Sequence, residues 1–302
     1  MHGNLLRRLS GPLRLLHHPL NEHRKLAALR RWVAWKIAAL VVPGPVIFEF
    51  VNDSMLIVEP RLDAATCNLY TGIYEFRDMS FILHFLRPDD VFVDVGANIG
   101  AYTVLAAAVR GASSISIEPV PSAYAHLMRN VHLNGVRPKV QAHNVAVGSK
   151  RGSVSFTSGR DSVNHVAIEA EMGDADIIEV EVKTLDEILG SARPTVIKID
   201  VEGYENEIIQ GGHTTFGQDS LLAIIMELNG SGRRYAYDED ALHARMLDYG
   251  FAPFVYSPLE RRLAPLTGKN AIEDNTLYLR RPEVVLQRLR SAPSFRVAGQ
   301  EI

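Results

Sequence analysis

The chain has 302 residues, of which 47% are hydrophobic, so it is long enough for one large α/β domain with an additional segment. Its formal net charge is −3, and it has no long block of lysines and arginines, so its charge gives no support for a nucleic-acid-binding protein. A single cysteine, Cys67, excludes an intramolecular disulfide and a multi-cysteine zinc site, and it agrees with a cytoplasmic location.

The N-terminal segment differs in charge from the rest of the chain. Residues 1–42 contain eight lysines and arginines and one acid, Glu22, whereas the remainder contains 24 basic and 34 acidic residues. The apolar run at 32–48 is interrupted by a lysine and two prolines. It is also shorter than the roughly 20 residues of a spanning helix, so no integral membrane span is expected. A basic amphipathic helix packed on its own domain and a helix that docks onto a membrane or a partner both remain open.

Apolar runs typical of strands alternate with helical patterns along the chain. The predicted strands lie at 46–51, 55–59, 91–95, 114–117, 140–147, 153–157, 177–183, 195–199, 221–227, 251–256 and 276–280. The predicted helices lie at 78–87, 99–110, 122–134, 205–210 and 239–248. This alternation predicts a Rossmann-like α/β fold, with a mostly parallel sheet and helices on both faces.

Three segments are expected. Residues 1–69 form an N-terminal helical segment and a β-hairpin, residues 70–282 form the α/β domain, and residues 283–302 form a weakly patterned, loose tail.

Polar residues stand at or just past the ends of five successive predicted strands. They are Asp94, Glu118, Asn144, Asp200 and Glu227. Ligands of parallel sheets bind beyond the carboxyl ends of the strands, where the winding direction reverses. The sequence therefore predicts a ligand site at this edge.

The first strand of the predicted domain runs into the sequence GANIG at residues 96–100. This turn lacks the middle glycine of the dinucleotide pattern and the Gly-Lys-Ser/Thr of a P-loop, which disfavours a nicotinamide-dependent oxidoreductase. S-adenosylmethionine fits better, with Asp94 facing its amine, the glycines allowing close packing, and Glu118 accepting from its ribose hydroxyls. The predicted cofactor-binding residues are Asp94, Gly96, Asn98, Gly100, Glu118 and Asn144.

Six segments of the chain resemble a known family. They are FVDVGANIGAYT, IEPVPSAYAHLMRNVHLNG, NVAVGSKRGSVSF, KTLDEIL, VIKIDVEGYENEIIQGG and IIMELN. In this order, over about residues 70–280, they are similar to the FkbM family of S-adenosylmethionine-dependent methyltransferases. The resemblance implies O-methylation of a hydroxyl on a small molecule or glycan. It does not extend to the first 45 residues.

Methyl transfer to a hydroxyl requires removal of the acceptor's proton, by a base or with help from a metal. Asp200 is the first candidate for the base, and Glu227 at the neighbouring strand end is the second catalytic candidate. Metal-free catalysis is favoured. The alternative is a Mg²⁺ ion held by oxygen ligands of Asp200, Glu227 and Asn229.

Lys198 shares a sheet face with Asp200, so we expect either an ion pair with Glu227 or Asp94, or a direct substrate contact. Glu202 and Glu205 are interpreted as residues that favour the dipole of the following helix.

The loop after Glu227 contains Asn229 and the adjacent Arg233 and Arg234, which are candidates for substrate binding. Paired arginines suit a carboxylate or a phosphate, which would favour an anionic glycan acceptor. Solvated arginines, or arginines paired with the next helix, are the alternative. The loop at 158–165 is expected to shape the same pocket. A rival to the enzyme is a protein that binds S-adenosylmethionine without catalysis, but the retained acids argue against it.

Overall fold

A computed structural model describes residues 15–41, 44–59, 63–159, 163–171 and 176–302. The strands are β1 (Val46–Glu49), β2 (Met55–Val58), β3 (Val91–Val95), β4 (Ser113–Ile117), β5 (Val140–His143), β6 (Ala146–Val147), β7 (Gly152–Thr157), β8 (Ile177–Lys183), β9 (Val196–Ile199), β10 (Ala223–Glu227), β11 (Ala252–Ser257), β12 (Arg262–Pro265), β13 (Asn275–Leu279), β14 (Arg296–Val297) and β15 (Gln300–Glu301).

The helices are α1 (Lys25–Val41), α2 (Asp63–Thr71), α3 (Phe76–Phe85), α4 (Ala101–Val104), α5 (Pro121–Leu133), α6 (Leu185–Leu189), α7 (Glu205–Gly211), α8 (His213–Phe216), α9 (Glu239–Asp248) and α10 (Pro282–Arg290). Helix α4 continues as a π-helical turn over Leu105–Val109.

The central sheet has the order β12-β11-β13-β10-β9-β3-β4-β5. Strands β10, β9, β3, β4 and β5 are parallel neighbours, whereas β13, β11 and β12 add to the β10 side in antiparallel pairs. The chain starts this sheet at β3, winds out to β5 and then returns to β9 on the other side. The winding direction therefore reverses between β3 and β9, as a doubly wound Rossmann-like fold requires.

Both faces of the sheet are covered by apolar layers. In β3, Phe92 packs with residues of α3, α4 and α10 on one face, whereas Val93 and Val95 pack with α6 to α9 on the other. This alternation follows from the two-residue period of a strand. The expected mostly parallel sheet with helices on both faces is confirmed.

A smaller sheet of order β6-β8-β7 lies next to the central one. The predicted strand at 140–147 is divided between the two sheets, because Asn144 separates β5 from β6. The sequence pattern did not reveal this break, because a single polar residue within a strand pattern does not by itself mark a strand end.

The N-terminal hairpin packs directly onto the α/β layer. The backbone N–H group of Ile57 donates to the side-chain oxygen of Asn130 on α5 at 2.7 Å, and that of Met55 donates to Asn134, which follows the helix, at 2.9 Å. One apolar cluster extends from this hairpin through the central sheet to the C-terminal segment.

The expectation of a loose C-terminal tail was wrong. Helix α10 and the β14–β15 hairpin cover most of this segment, and Val285, Leu289, Phe295 and Ile302 are buried in the main cluster. Phe295 and Ile302 also exchange backbone hydrogen bonds of 3.0 Å. Val285 and Leu289 have the four-residue spacing of one helix face, but this pattern covers only the nine residues of α10. It is nevertheless sufficient to dock the short helix, and the hairpin follows it.

Candidate active site

A cavity of about 270 Å³ opens at the carboxyl ends of β3, β4, β9 and β10, where the winding direction reverses. Its walls include residues 94–99 after β3, Phe156 of β7, and Asn164 and Val166 of the following loop. Part of the loop expected to shape the pocket therefore lines it, while residues 160–162 lie outside the described residues. A cavity therefore lies at the sheet edge where the sequence predicts the ligand site.

The turn after β3 is built against the backbone of Asp200. Gly96 has φ +82°, and a Cβ atom there would lie 1.9 Å from the Asp200 carbonyl oxygen, so no side chain fits. Gly100 also has a positive φ. A Cβ atom on Gly100 would lie 2.3 Å from the Cδ1 atom of Leu127 on α5, so only a glycine allows the two to pack this closely. Gly96 lines the cavity, but Gly100 does not and serves helix packing.

Glu118 links the glycine turn to the end of β4. Its two carboxylate oxygens accept from the backbone N–H groups of Asn98 and Val120, each at 2.8 Å. Burial raises the pKa of Glu118 to about 7, although the two N–H donors act in the opposite direction. Both Asn98 and Glu118 line the cavity. The acid is held in place, and each oxygen keeps a further lone pair for a ligand.

Asn144 is turned toward the main chain. Its side-chain nitrogen donates to the carbonyl oxygens of Glu118 and Pro119, at 2.8 and 3.0 Å. It is not among the residues that line the cavity. The geometry therefore gives Asn144 a bracing position behind Glu118, in place of the direct ligand contact that the sequence predicted.

Lys198 and Asp94 form the floor of the cavity. The Lys198 ammonium donates to Asp200 Oδ2 at 2.6 Å and lies 4.8 Å from the centre of the Tyr102 ring. Burial acts to lower the pKa of Lys198, but the surrounding acids, Asp200 first, raise it above its ordinary value. The prediction that Lys198 pairs with Glu227 or Asp94 was wrong, because the carboxylate within hydrogen-bond distance of Lys198 is that of Asp200.

Asp94 is almost fully buried, and its Oδ2 accepts from the Thr103 hydroxyl at 2.8 Å. Burial raises its pKa to about 6, while Lys198 and Thr103 act to lower it.

Three acids form a carboxylate cluster at the ends of β9 and β10. The cluster consists of Asp200, Glu202 and Glu227, each of which offers an oxygen within 4.8 Å of the other two. Burial, with the charges of Asp200 and Glu202, raises the pKa of Glu227 well above its ordinary range. The Oε2 atom of Glu227 is buried and has no hydrogen-bond partner in the described part of the chain. Burial and the neighbouring acids therefore favour the protonated form of Glu227.

Glu202 is the member of this cluster that the sequence pattern did not identify as a site residue. It has φ +55°, and the next residue, Gly203, is packed so tightly against Ser231 that a Cβ would lie 2.6 Å from its carbonyl. This tight turn directs Glu202 back toward the strand ends. Burial and the charge of Asp200 raise the pKa of Glu202 to about 7.

Two further residues of the predicted site lie elsewhere. The Asn229 side chain accepts from the Ser231 backbone at 2.9 Å, and Arg233 is exposed; neither lines the cavity. The structure therefore does not support a Mg²⁺ site made by Asp200, Glu227 and Asn229. The residue that lies beside Asp200 and Glu227 is Glu202.

Arg234 is also exposed and outside the cavity lining. Its guanidinium donates to the Glu202 carbonyl oxygen at 3.1 Å and braces the turn that carries this acid. The expected partners on the next helix are engaged elsewhere: Asp238 caps α9, and Glu239 pairs with Lys269.

Glu75, just before α3, lines the cavity and was not identified from the sequence, because it precedes the regular strand and helix pattern. Its carboxylate accepts from the Asn275 side chain at 2.9 Å.

The cavity is strongly acidic. Among the described residues that line it, Lys198 is the sole lysine or arginine, against seven acids: Glu75, Asp94, Glu118, Asp200, Glu202, Glu227 and Asp274. Such a cavity favours a cationic ligand and repels a diphosphate. The electrostatics therefore agree with the sequence argument against a dinucleotide.

A doubly wound sheet with a glycine turn, an acid after the second strand and an acidic cavity at the switch point defines a Rossmann-like protein of the methyltransferase class. Residues 94–253 match the family described as the Methyltransferase FkbM domain. The chain therefore belongs to the FkbM methyltransferase family, and the resemblance found in the sequence is confirmed.

Relatives support the same class. The chain is 28% identical over 195 residues to "Methyltransferase 1" of Beauveria bassiana, covering 57% of this chain and 76% of that protein. It is 26% identical over 213 residues to "Hexuronic acid methyltransferase AglP" of Haloferax volcanii, covering 68% and 82%. Among solved structures, an RNA methyltransferase from Salinibacter ruber in complex with S-adenosylhomocysteine has a TM-score of 0.35 at 14% identity, covering 67% and 87%. That score is too low for a comparison of individual residues.

Proposed function

We propose that the protein is an S-adenosylmethionine-dependent O-methyltransferase that acts on a hydroxyl of a small molecule or glycan, and that its acceptor is neutral. The observation that carries this proposal is the cavity lined by seven acids and one lysine, in a chain of a methyltransferase family. The ligand that such a cavity suits is a cation with hydroxyl groups and no phosphate.

The donor set fits S-adenosylmethionine. Glu118 has lone pairs directed at the cavity beside the Asn98 backbone, which suits the two ribose hydroxyls. Asp94 and Glu75 supply negative charge on the cavity floor, which suits the ammonium group of the amino-acid end. When bound, the cofactor supplies a methyl group on a sulfonium, and the acceptor oxygen displaces a neutral thioether in line.

The carboxylate cluster is proposed to bind and activate the acceptor. Asp200, held by Lys198, remains our candidate for the base that takes the hydroxyl proton. Glu202, whose pKa is about 7, is the second candidate base, and protonated Glu227 can donate a hydrogen bond to an acceptor oxygen. No metal is required for these roles, and Mg²⁺ at the cluster is the alternative.

An anionic acceptor is disfavoured by charge. The relative named for hexuronic acid is 26% identical, and its printed substrate carries a carboxylate. In the present chain the lysine that lines the cavity is already paired with Asp200, and the two loop arginines lie outside the lining. We therefore propose a neutral sugar or a comparable polyhydroxylated molecule.

Two measurements test the proposal. Calorimetry with S-adenosylmethionine, S-adenosylhomocysteine and NAD should show binding of the first two alone. A panel of paired hexosides and hexuronates, with methylated product detected by mass, should show transfer to neutral members. Binding of NAD would contradict the cofactor assignment, and preference for hexuronates would contradict the neutral acceptor.

Cofactor binding without methylated product from any acceptor would favour the rival, a non-catalytic binding protein. A chelator control belongs to the same assay. Loss of activity with chelator and recovery with Mg²⁺ would contradict metal-free catalysis.

A further inference from the structure

Helix α1 has an inner face that is part of the molecule's core. Ala28 and Trp35 are buried, and Trp35 packs in a cluster with Val58 of β2 and Ile99 of the glycine turn. Arg31, on the same side, donates to the Tyr70 carbonyl oxygen at 3.0 Å. This face fixes the orientation of the helix on the domain, so the opposite face points away from it.

The outer face of α1 is apolar and exposed. It consists of Leu26, Leu29, Val33, Ile37 and Leu40, whose exposed fractions are 80%, 37%, 40%, 57% and 87%. Their spacings of three and four residues place them within an arc of about 80° on a helix with 3.6 residues per turn. The centre of that arc lies opposite Trp35. Five aligned apolar side chains in solvent form a surface that requires a partner.

The charges around this outer face have one sign. Lys25, Arg30 and Lys36 are exposed on α1, and the helix contains no aspartate or glutamate. On the helical projection the two lysines border one side of the apolar arc, and the arginine borders the other. An apolar stripe bordered by cations complements a surface that is apolar inside and negatively charged outside.

We propose that the outer face of α1 docks the protein onto the surface of an anionic lipid bilayer, with the helix lying in the plane of the interface. No described helix is long and apolar enough to cross a membrane, and the contact that we propose is a peripheral one. A second copy of α1 fits less well, because a symmetric pairing would bring like charges together along the apolar seam. The inference rests on α1 alone and does not depend on the proposed function.

Vesicle flotation with the full chain tests the inference. The protein should bind vesicles of phosphatidylcholine with phosphatidylglycerol, bind phosphatidylcholine alone much more weakly, and release as salt is raised. Each cation near an anionic surface should strengthen vesicle binding about fivefold. Neutralising all three should therefore weaken binding on the order of 100-fold. The variant is Lys25→Gln/Arg30→Gln/Lys36→Gln.

A second variant removes the apolar contribution, and we expect it to weaken vesicle binding by more than about tenfold. It is Leu26→Ser/Ile37→Ser/Leu40→Ser. Matched controls remove the same number of cations or of apolar side chains at exposed positions elsewhere and should bind like the wild type. They are Lys150→Gln/Arg262→Gln/Arg290→Gln and Leu247→Ser/Leu259→Ser/Ile272→Ser.

Circular dichroism and thermal melts of all variants establish that they fold. Equal binding by α1 and control variants, or absence of binding to anionic vesicles, would overturn the inference. So would a dimer in sedimentation that the α1 serine variant converts to monomer.

Discussion

The two sides of the cavity hold their acids in different ways. On the side of the glycine turn, Glu118 has both oxygens bonded to backbone N–H groups, and Asp94 accepts from Thr103. In the carboxylate cluster, by contrast, Asp200 and Glu202 face a third acid, Glu227, which has an oxygen without a partner among the described residues. The first side is organised before any ligand binds. The second side retains unfavourable charge proximity, which a proton or an incoming hydroxyl can relieve.

This difference indicates which side performs which task. Acids bonded to a rigid backbone can select and orient a ligand without changing protonation state. In the carboxylate cluster, burial and neighbouring charge raise the pKa of Glu202 to about 7, near the range in which proton transfer is efficient. The pKa of Glu118 is raised as far, so the two sides differ in their fixed hydrogen bonds and not in their pKa values. We therefore propose that the glycine-turn side binds the cofactor and that the carboxylate cluster transfers the proton.

The largest expected effect comes from Asp200→Asn, which keeps the shape and removes the basicity. If Asp200 is the base, kcat should fall by roughly 10²–10⁴ while the Kd of the cofactor changes little. The buried Lys198 loses its partner in this variant, so Lys198→Met/Asp200→Asn serves as the control for stability. A kcat within about tenfold of the wild-type value would mean that Asp200 is not the base. Glu202 would then be the candidate, and Glu202→Gln should lower kcat by roughly 10²–10⁴.

A smaller effect is expected from Glu118→Ala on the other side. Loss of the acid that faces the ribose should weaken S-adenosylmethionine binding by about 10- to 150-fold, the equivalent of about 1.5–3 kcal/mol. Asn144→Ala is the matched control. Because Asn144 contacts Glu118 only through its backbone, the loss of Asn144 should weaken S-adenosylmethionine binding less than the loss of Glu118 does. Calorimetry measures both, with kcat at saturating cofactor as a second reading. Unchanged affinity in the Glu118 variant would remove this acid from the cofactor site.

Because three acids are crowded in the carboxylate cluster, the free energy of unfolding should depend on pH. The folded-state pKa of Glu227 lies above its ordinary value of 4.5, so above that value the folded protein binds more protons than the unfolded chain. Its contribution to stability therefore falls as pH rises. Glu227→Gln should raise Tm by roughly 2–4 °C near pH 8, the change that about 1 kcal/mol produces in a domain of this size.

The gain in the Glu227 variant should shrink as pH falls toward 4, because the unfolded chain, in which this residue has its ordinary pKa of 4.5, then also becomes protonated there. Thermal melts of ligand-free protein across this range provide the test. A gain that is independent of pH would mean that packing, not titration, accounts for it.

The smallest effect is expected in the loop arginines. Arg234→Ala should lower kcat by no more than about fivefold, because an exposed contact of this kind contributes less than about 1 kcal/mol. Arg233→Ala should behave like the wild type, and neither should change the acceptor KM. A rise in acceptor KM confined to these variants would restore the anionic acceptor that the sequence alone favoured.

The sequence predicted those features that depend on periodic patterns and on strand ends. Apolar strands placed Asp94, Glu118, Asp200 and Glu227 at one edge of the sheet, because parallel strands align their carboxyl ends. The family resemblance then supplied the reaction class. These are consequences of short-range order along the chain, which a single sequence contains.

Loop conformations account for most of what the sequence did not predict. Glu202 reaches the cluster through a positive φ, and Asn144 and Asn229 turn toward the main chain instead of the cavity. No periodicity records which way a polar side chain turns after a strand ends. The partner of Lys198 was missed because acids on neighbouring strands were considered and the acid two residues further along the chain was not. A lysine can reach such an acid, as Lys183 reaches Glu181 within β8.

The contact between Gly96 and the Asp200 carbonyl has a consequence for kinetic order. There is no room for a methyl group between them, so the glycine turn is packed directly against the segment that carries Asp200. Because the turn is already organised, we propose that the cofactor binds to it first and that the acceptor then binds beside the cofactor, next to Asp200. We therefore expect an ordered sequential mechanism. Initial-velocity and product-inhibition patterns should show S-adenosylhomocysteine competing with the cofactor and not with the acceptor.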